Sequence, residues 1–119
     1  RTDLGAAATL APSEVTPAAL AGARHLHLEG FVVFNQALAD ATVAAARASG
    51  ATVSLDIASF EVVHAARAWL LAHIRSGGIH HVFANEDEIR ALYPDSSDDF
   101  AALARRLAGE APGLLAIVK

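Results

Sequence analysis

Asn85 and Glu88 stand three residues apart in the stretch HHVFANEDEIRAL (80–92), where an apolar run gives way to three consecutive acids and then to a helical pattern. Two kinds of chemistry suit that spacing. An Asn at a helix N-cap accepts from the backbone N–H three residues on, and a Glu at that position bonds back to the cap, closing a capping box in which Gln is accepted equally. The same amide and carboxylate, set together at a helix start, can instead hold something charged. Local chemistry leaves both readings open.

Two other polar positions end apolar runs in the same way: Glu29-Gly30 after RHLHL, and Asp56 in TVSLDI. A solvated strand end and the start of a turn are the ordinary roles of such residues. His25-x-His27 places two imidazoles on one face of a strand, and His80-His81 places one on each face. A zinc site needs a third ligand and groups that orient the ligands. The chain has no cysteine and nothing at a convincing spacing to supply that third ligand. No GxxxxGK[ST], GxGxxG or GxSxG occurs, so the chain carries no self-sufficient catalytic motif.

The residues above are positioned by an alternation of short apolar runs and longer helical patterns. Strands are expected over 24–29, 52–57, 79–84 and 114–118. Thr16-Pro17 reads as an N-cap followed by the first helical residue. Asn35 caps a run to Ser49, with Gly50 at the C′ position. A helix over 60–74, with Phe60, Val63, Leu70, Leu71 and Ile74 on one side, ends at Gly77-Gly78, and another over 98–109 turns Phe100, Leu103, Ala104 and Leu107 inward. Strand–helix alternation at this spacing predicts an α/β fold, a parallel sheet with right-handed crossovers and helices on both faces. Any strand within 3–11 would belong to an edge or a lid. Ligands of such sheets gather beyond the carboxyl ends of the strands, which selects Glu29-Gly30, Asp56 and Asn85 onward as one cleft.

Of the 119 residues 54% are hydrophobic and 18% charged, a core-forming composition. A net charge of −4, with Arg105-Arg106 the only adjacent basic pair, argues against nucleic acid or an anionic membrane as the main partner. No apolar run approaches the roughly 18 residues of a membrane helix. An intracellular protein is expected. The absence of any Met suggests a processed protein or a piece of a longer one, and residues 1–119 read as a single partial domain.

Five stretches, RTDLGAA, ALAGARHLHLEGFVVFN, GATVSLDIASFEVV, IHHVFANEDEIRAL and LLAIVK, follow one another in an order that resembles the ribokinase-like (PfkB) carbohydrate kinases, in particular their adenosine-kinase-like branch. The pairing of SLDIASFEVV with FANEDE looks most like plant and algal members. The resemblance implies a three-layer α/β/α fold, present here in part, and an ATP-dependent transfer of phosphate to a hydroxyl of a sugar or nucleoside. It implies that Asn85 and Glu88 help hold Mg²⁺ and the nucleotide phosphates, largely through water, as suits an ion that dehydrates reluctantly. It also implies that Glu29, with Gly30 beside it, meets substrate hydroxyls. Asp56 carries over only weakly.

Family members place their catalytic aspartate in a Gly-Ala-Gly-Asp motif downstream, where it serves as general base and the glycine amides hold the transferring group. No such motif occurs in this chain, which therefore resembles the central segment of a kinase and is expected to be inactive alone. The alternative implied by the same resemblance is a kinase-fold assembly subunit without catalysis. The expected compartment is cytoplasm or plastid. A segment of this kind lacks one helical layer and leaves sheet edges open, so self-association is expected.

Overall fold

The computed structural model describes residues 5–97 and 99–119. Four strands, β1 (His25–Glu29), β2 (Thr52–Asp56), β3 (His81–Ala84) and β4 (Leu115–Val118), form one sheet in the order β1-β2-β3-β4, with every neighbouring pair parallel. Four α-helices, α1 (Gln36–Ser49), α2 (Phe60–Arg75), α3 (Glu86–Leu92) and α4 (Phe100–Ala108), fill the crossovers. The α/β class and the parallel sheet are those expected from the alternating pattern.

Alternation along the strands sorts the two faces of the sheet. Leu28, Val53, Leu55, Val82 and Ala84 join one core with Ala39 and Val43 of α1, Val62, Leu70 and Ile74 of α2, Ile89 of α3 and Leu107 of α4. The opposite face carries His25, His27, Ser54 and His81. There the His25 ring lies 2.6 Å from the Thr52 hydroxyl and 2.8 Å from that of Ser54, which in turn is 2.7 Å from Nδ1 of His27. His25 and His27 thus satisfy neighbouring hydroxyls, and His80 Nδ1 accepts from the Val53 N–H at 2.9 Å. Among the described residues, no group of three or more His, Cys, Asp or Glu could hold a metal ion, and no helix is long and apolar enough to cross a membrane.

Caps set the helix ends largely where the sequence put them. Asn35 Oδ1 accepts from the Leu38 N–H at 3.2 Å, and Gly50 closes α1 with φ 78°, a conformation open to glycine. Asp99 caps α4 through the Ala102 N–H at 2.8 Å; Asp98, where that helix was expected to begin, lies outside the described residues. Three expectations change. Residues 5–9, with no strand, form a 3₁₀ turn (Gly5–Thr9), while residues 3 and 4 lie outside the described residues. The helix expected after Thr16-Pro17 is only a 3₁₀ turn (Ala18–Leu20): the Thr16 hydroxyl does accept from Ala19 N–H, but Gly22 at φ 80° turns the chain away. Phe60 faces solvent, 50% exposed, because Val62 and Val63 take the inner side and α2 breaks at Ala66 (φ −139°, ψ 26°), which re-phases the rest of the helix. Nothing in the local sequence, neither Pro nor Gly, announces that break.

The helices are fastened to one another at their flanks. Trp69 Nε1 of α2 donates to Asp40 of α1 at 2.7 Å, and Arg67 donates to the Leu92 carbonyl of α3 at 2.7 Å. Tyr93, fully buried after α3, donates its hydroxyl to Glu110 at 2.8 Å, while Arg75 approaches the same carboxylate at 2.6 Å and the Arg106 guanidinium stacks 4.1 Å above the Tyr93 ring. The Arg75 hydrogen bond is the main cause that holds the Glu110 carboxyl below its usual range, and burial pushes the Tyr93 phenol well above its own. A carboxyl with a lowered folded pKa contributes stability that is complete above its unfolded value of 4.5 and disappears as pH falls through the lowered one. Glu110→Ala leaves the Tyr93 hydroxyl without an acceptor and is expected to cost about 1–3 kcal/mol at pH 7. Urea unfolding at a series of pH values should show the gap between mutant and wild type shrinking only below pH 4.5; a constant gap would rule out the carboxylate as its source.

Candidate active site at the carboxyl edge of the sheet

Glu29 and Asp56 end adjacent strands and are direct register partners, and Asp56 in turn pairs with Phe83. Two residues past Phe83, Asn85 leaves β3 and opens α3. Parallel register therefore brings the three sequence-selected positions to one edge, each at a strand terminus.

Glu29 caps a 3₁₀ turn (Gly30–Phe34), its carboxylate accepting from the Phe31 N–H at 3.3 Å. This turn is not foreseen in the sequence, where the strand is expected to end at residue 29 and nothing is assigned to 30–34. It also places Glu29 on the wall of a cavity of about 560 Å³, with Leu26, Phe31, Phe34, Leu38 and Thr42. Gly30 is buried where β1 passes the end of β2. A Cβ built there would stand 2.7 Å from the Asp56 carbonyl oxygen and closer still to that of Ile57. Only glycine lets the two strand ends approach so nearly.

Asn85 and Glu88 close a ring of three hydrogen bonds. The Glu88 N–H donates to Asn85 Oδ1 at 2.9 Å, the Asn85 backbone N–H donates to Glu88 Oε2 at 2.8 Å, and Asn85 Nδ2 donates to Glu88 Oε1 at 3.0 Å. The capping box is therefore real, and it is tighter than its usual form, since both carboxylate oxygens are engaged. Glu88 is only 3% exposed, whereas Asn85 faces solvent. The second Nδ2 proton of Asn85 has no partner among the described residues.

These residues fit magnesium through its water shell only. Each Glu88 oxygen keeps one lone pair after the cap bonds, enough to accept from a coordinated water. Among the described residues no group of three or more His, Cys, Asp or Glu gathers to build a direct site, and Mg²⁺ characteristically retains several waters. Glu29, Asp56, Glu86, Asp87 and Glu88 together make the edge acidic, so a polyphosphate approaches it favourably only with a divalent cation in company.

Ala58 is the participant that sequence reasoning missed. It is the one non-glycine residue with positive φ, 71°, among the described residues. It sits two residues past Asp56, whose Oδ1 accepts its N–H at 3.0 Å. Alanine gives no signal for such a conformation; the only hint is Asp56, a residue type that bonds its own backbone two residues on.

No protein-family model matches the chain, and no curated protein matches it. Solved structures do. A protein described as a probable sugar kinase from Rhizobium etli CFN 42 superposes with a TM-score of 0.79 at 26% identity, over 93% of this chain and 33% of that one. The adenosine kinase from Sinorhizobium meliloti gives 0.76 at 29% identity, over 92% and 33%. A PfkB protein from Polaromonas sp. JS666, at 24% identity, shares the fold with a TM-score of 0.70 over 96% and 40%. The chain spans about a third of the length of the first two, and its fold is similar to that of a segment of PfkB-type sugar and adenosine kinases.

Proposed function

We propose that this chain is the central segment of an ATP-dependent kinase that phosphorylates a hydroxyl of a sugar or a nucleoside. The observation that carries the reading is the gathering of Glu29, Asp56, Asn85 and Glu88 at the carboxyl edge of a parallel sheet whose fold is similar to a segment of sugar and adenosine kinases. Glu29, an acceptor-only group steadied by the Phe31 N–H, receives hydroxyl protons of the substrate, and Gly30 allows the close strand ends that place it. Asn85 offers its remaining amide proton to a phosphate oxygen. Glu88 locks the Asn85 side chain and accepts from waters of the metal. Magnesium, when bound, offsets the phosphate charge that the acidic edge would repel. The general base and the amides for the transferring group come from outside these residues, since no Gly-Ala-Gly-Asp occurs in them. The plant and algal branch and the cytoplasmic or plastid compartment rest on the sequence resemblance alone.

The test uses the full-length protein with ATP and magnesium against a panel of ribose, fructose and adenosine, following ADP release. Turnover that needs both an acceptor and magnesium supports the kinase. No transfer to any member, with ATP still bound, would favour the assembly subunit instead. The open edge at β4, where Leu115 is 53% exposed, supports self-association of the isolated chain. Sedimentation velocity should show dimers or larger species, and a clean monomer at all concentrations would refute it.

A further inference from the structure

We propose that Asp56 is the positioning residue of this site: through a strained turn at Ala58 it sets the two carbonyls that press on Gly30, and with them the place of the Glu29 carboxylate. The inference rests on the reading of Glu29 as the group that meets the acceptor.

The chain reverses between β2 and α2 within three residues. Ser59 N–H donates to the Ile57 carbonyl at 2.9 Å around Ala58 at φ 71°. A one-residue ring with positive φ at its centre is the rare, strained hand of the γ-turn, and an alanine held there stores strain that its surroundings must over-determine. Two restraints do so. Asp56 Oδ1 accepts the Ala58 N–H at 3.0 Å, fixing the turn from the strand side. The Ile57 N–H donates to the Phe83 carbonyl at 3.0 Å, and its side chain is fully buried, fixing the turn to β3 and the core.

The product of this arrangement is a pair of carbonyls, of Asp56 and Ile57, lying against Gly30 with no room for a Cβ. Gly30 is the first residue of the turn that Glu29 caps, and Glu29 is the register partner of Asp56. Without the Asp56 acceptor, Ala58 relaxes toward negative φ, the Ile57 carbonyl swings, and the first turn after β1 loses the wall it is packed on. Asp56 thus acts on Glu29 through backbone and need not touch substrate.

Three variants of the full-length protein separate positioning from direct contact: Asp56→Ala, Asp56→Asn and the double change Asp56→Ala with Ala58→Gly. Adenosine and ribose serve as acceptor probes. Asp56→Ala should raise the acceptor KM about 10- to 100-fold, the scale of a small misplacement, and leave the KM for ATP nearly unmoved. Asp56→Asn should recover most of that loss, because its carbonyl still accepts from Ala58 N–H. The double variant should also recover it, because glycine adopts positive φ without strain. If Asp56→Asn is as poor as Asp56→Ala and Ala58→Gly rescues nothing, the charge acts on substrate directly and the proposal is overturned. Glu29→Gln gauges the underlying reading separately: an unchanged acceptor KM would remove Glu29 from the site. The turn is then judged by hydrogen exchange of the Phe31 amide, which bonds the Glu29 carboxylate. Exchange faster in Asp56→Ala and restored in the double variant upholds the coupling; exchange equal in all variants overturns it.

Discussion

Gly30→Ala is expected to destabilise the protein by about 3 kcal/mol or more, at the upper end of the cost of overpacking. The added methyl would meet three atoms, the Asp56 and Ile57 carbonyl oxygens and the Ile57 carbonyl carbon, all of them backbone. A flexible side chain could swing away from such a contact. These carbonyls cannot, because Ile57 is bonded to β3 on one side and to Ser59 on the other. Gly30 is not one of the left-handed glycines, so the cost arises from proximity and not from backbone conformation. Gly109→Ala is the matching control. Its nearest contacts, at 3.5 Å, are ordinary van der Waals distances, and its φ is −77°. Urea unfolding followed through Trp69, the single tryptophan, compares the two. Equal midpoints would mean that the β1 and β2 ends separate at no cost, and the tight edge described above would not exist.

Glu88→Gln is the second large effect, and here the structure corrects an expectation. A capping box accepts Gln as readily as Glu at N3, so a cap alone implies a nearly silent change. The ring of three bonds forbids that. Glu88 receives two donors, the Asn85 backbone N–H and Nδ2, one on each oxygen. Gln has one carbonyl oxygen, so its amide nitrogen must face the remaining donor. Flipping Asn85 to relieve that clash turns its nitrogen toward the Glu88 N–H, which needs Oδ1. One donor at a nearly buried site loses its partner in either arrangement, and the expected loss is about 1–3 kcal/mol. Under the proposed function the same change also removes the charge that steadies the metal's waters, with an expected loss of about 10- to 100-fold in magnesium affinity or activity. Melting of the full-length variant, with and without magnesium, and the magnesium dependence of phosphorylation are the two readouts. A lowered melting temperature with an unaltered magnesium requirement would leave the cap as the whole role of the pair. An unaltered melting temperature would contradict the ring itself.

The four strands, the parallel class and most helix ends were legible in the sequence because each rests on local physics. Apolar alternation marks a strand. Asn35 and Gly50 bracket α1 whatever packs upon it, and the Asn85-x-x-Glu88 spacing offers the capping box that the structure closes. The carboxyl-edge positions followed too, since a parallel sheet orders its own termini. The rest depended on parts of the chain distant in sequence. Gly30 looks like any glycine after a strand until β2 presses its carbonyls against it. GFVVF has no turn residue beyond Gly30 to announce its shape, yet it coils into a 3₁₀ turn once Glu29 caps it and that wall is in place. Phe60 fits the apolar stripe of a straight helix, and only the break at Ala66 turns it to solvent. Ala58 carries no sign of a left-handed conformation, because the energy that holds it there lies in Asp56, Phe83 and the buried Ile57 side chain. Propensity and spacing determined where the elements lie; tertiary packing decided which residues were forced into strained or crowded places, since that force comes from contacts no local window contains.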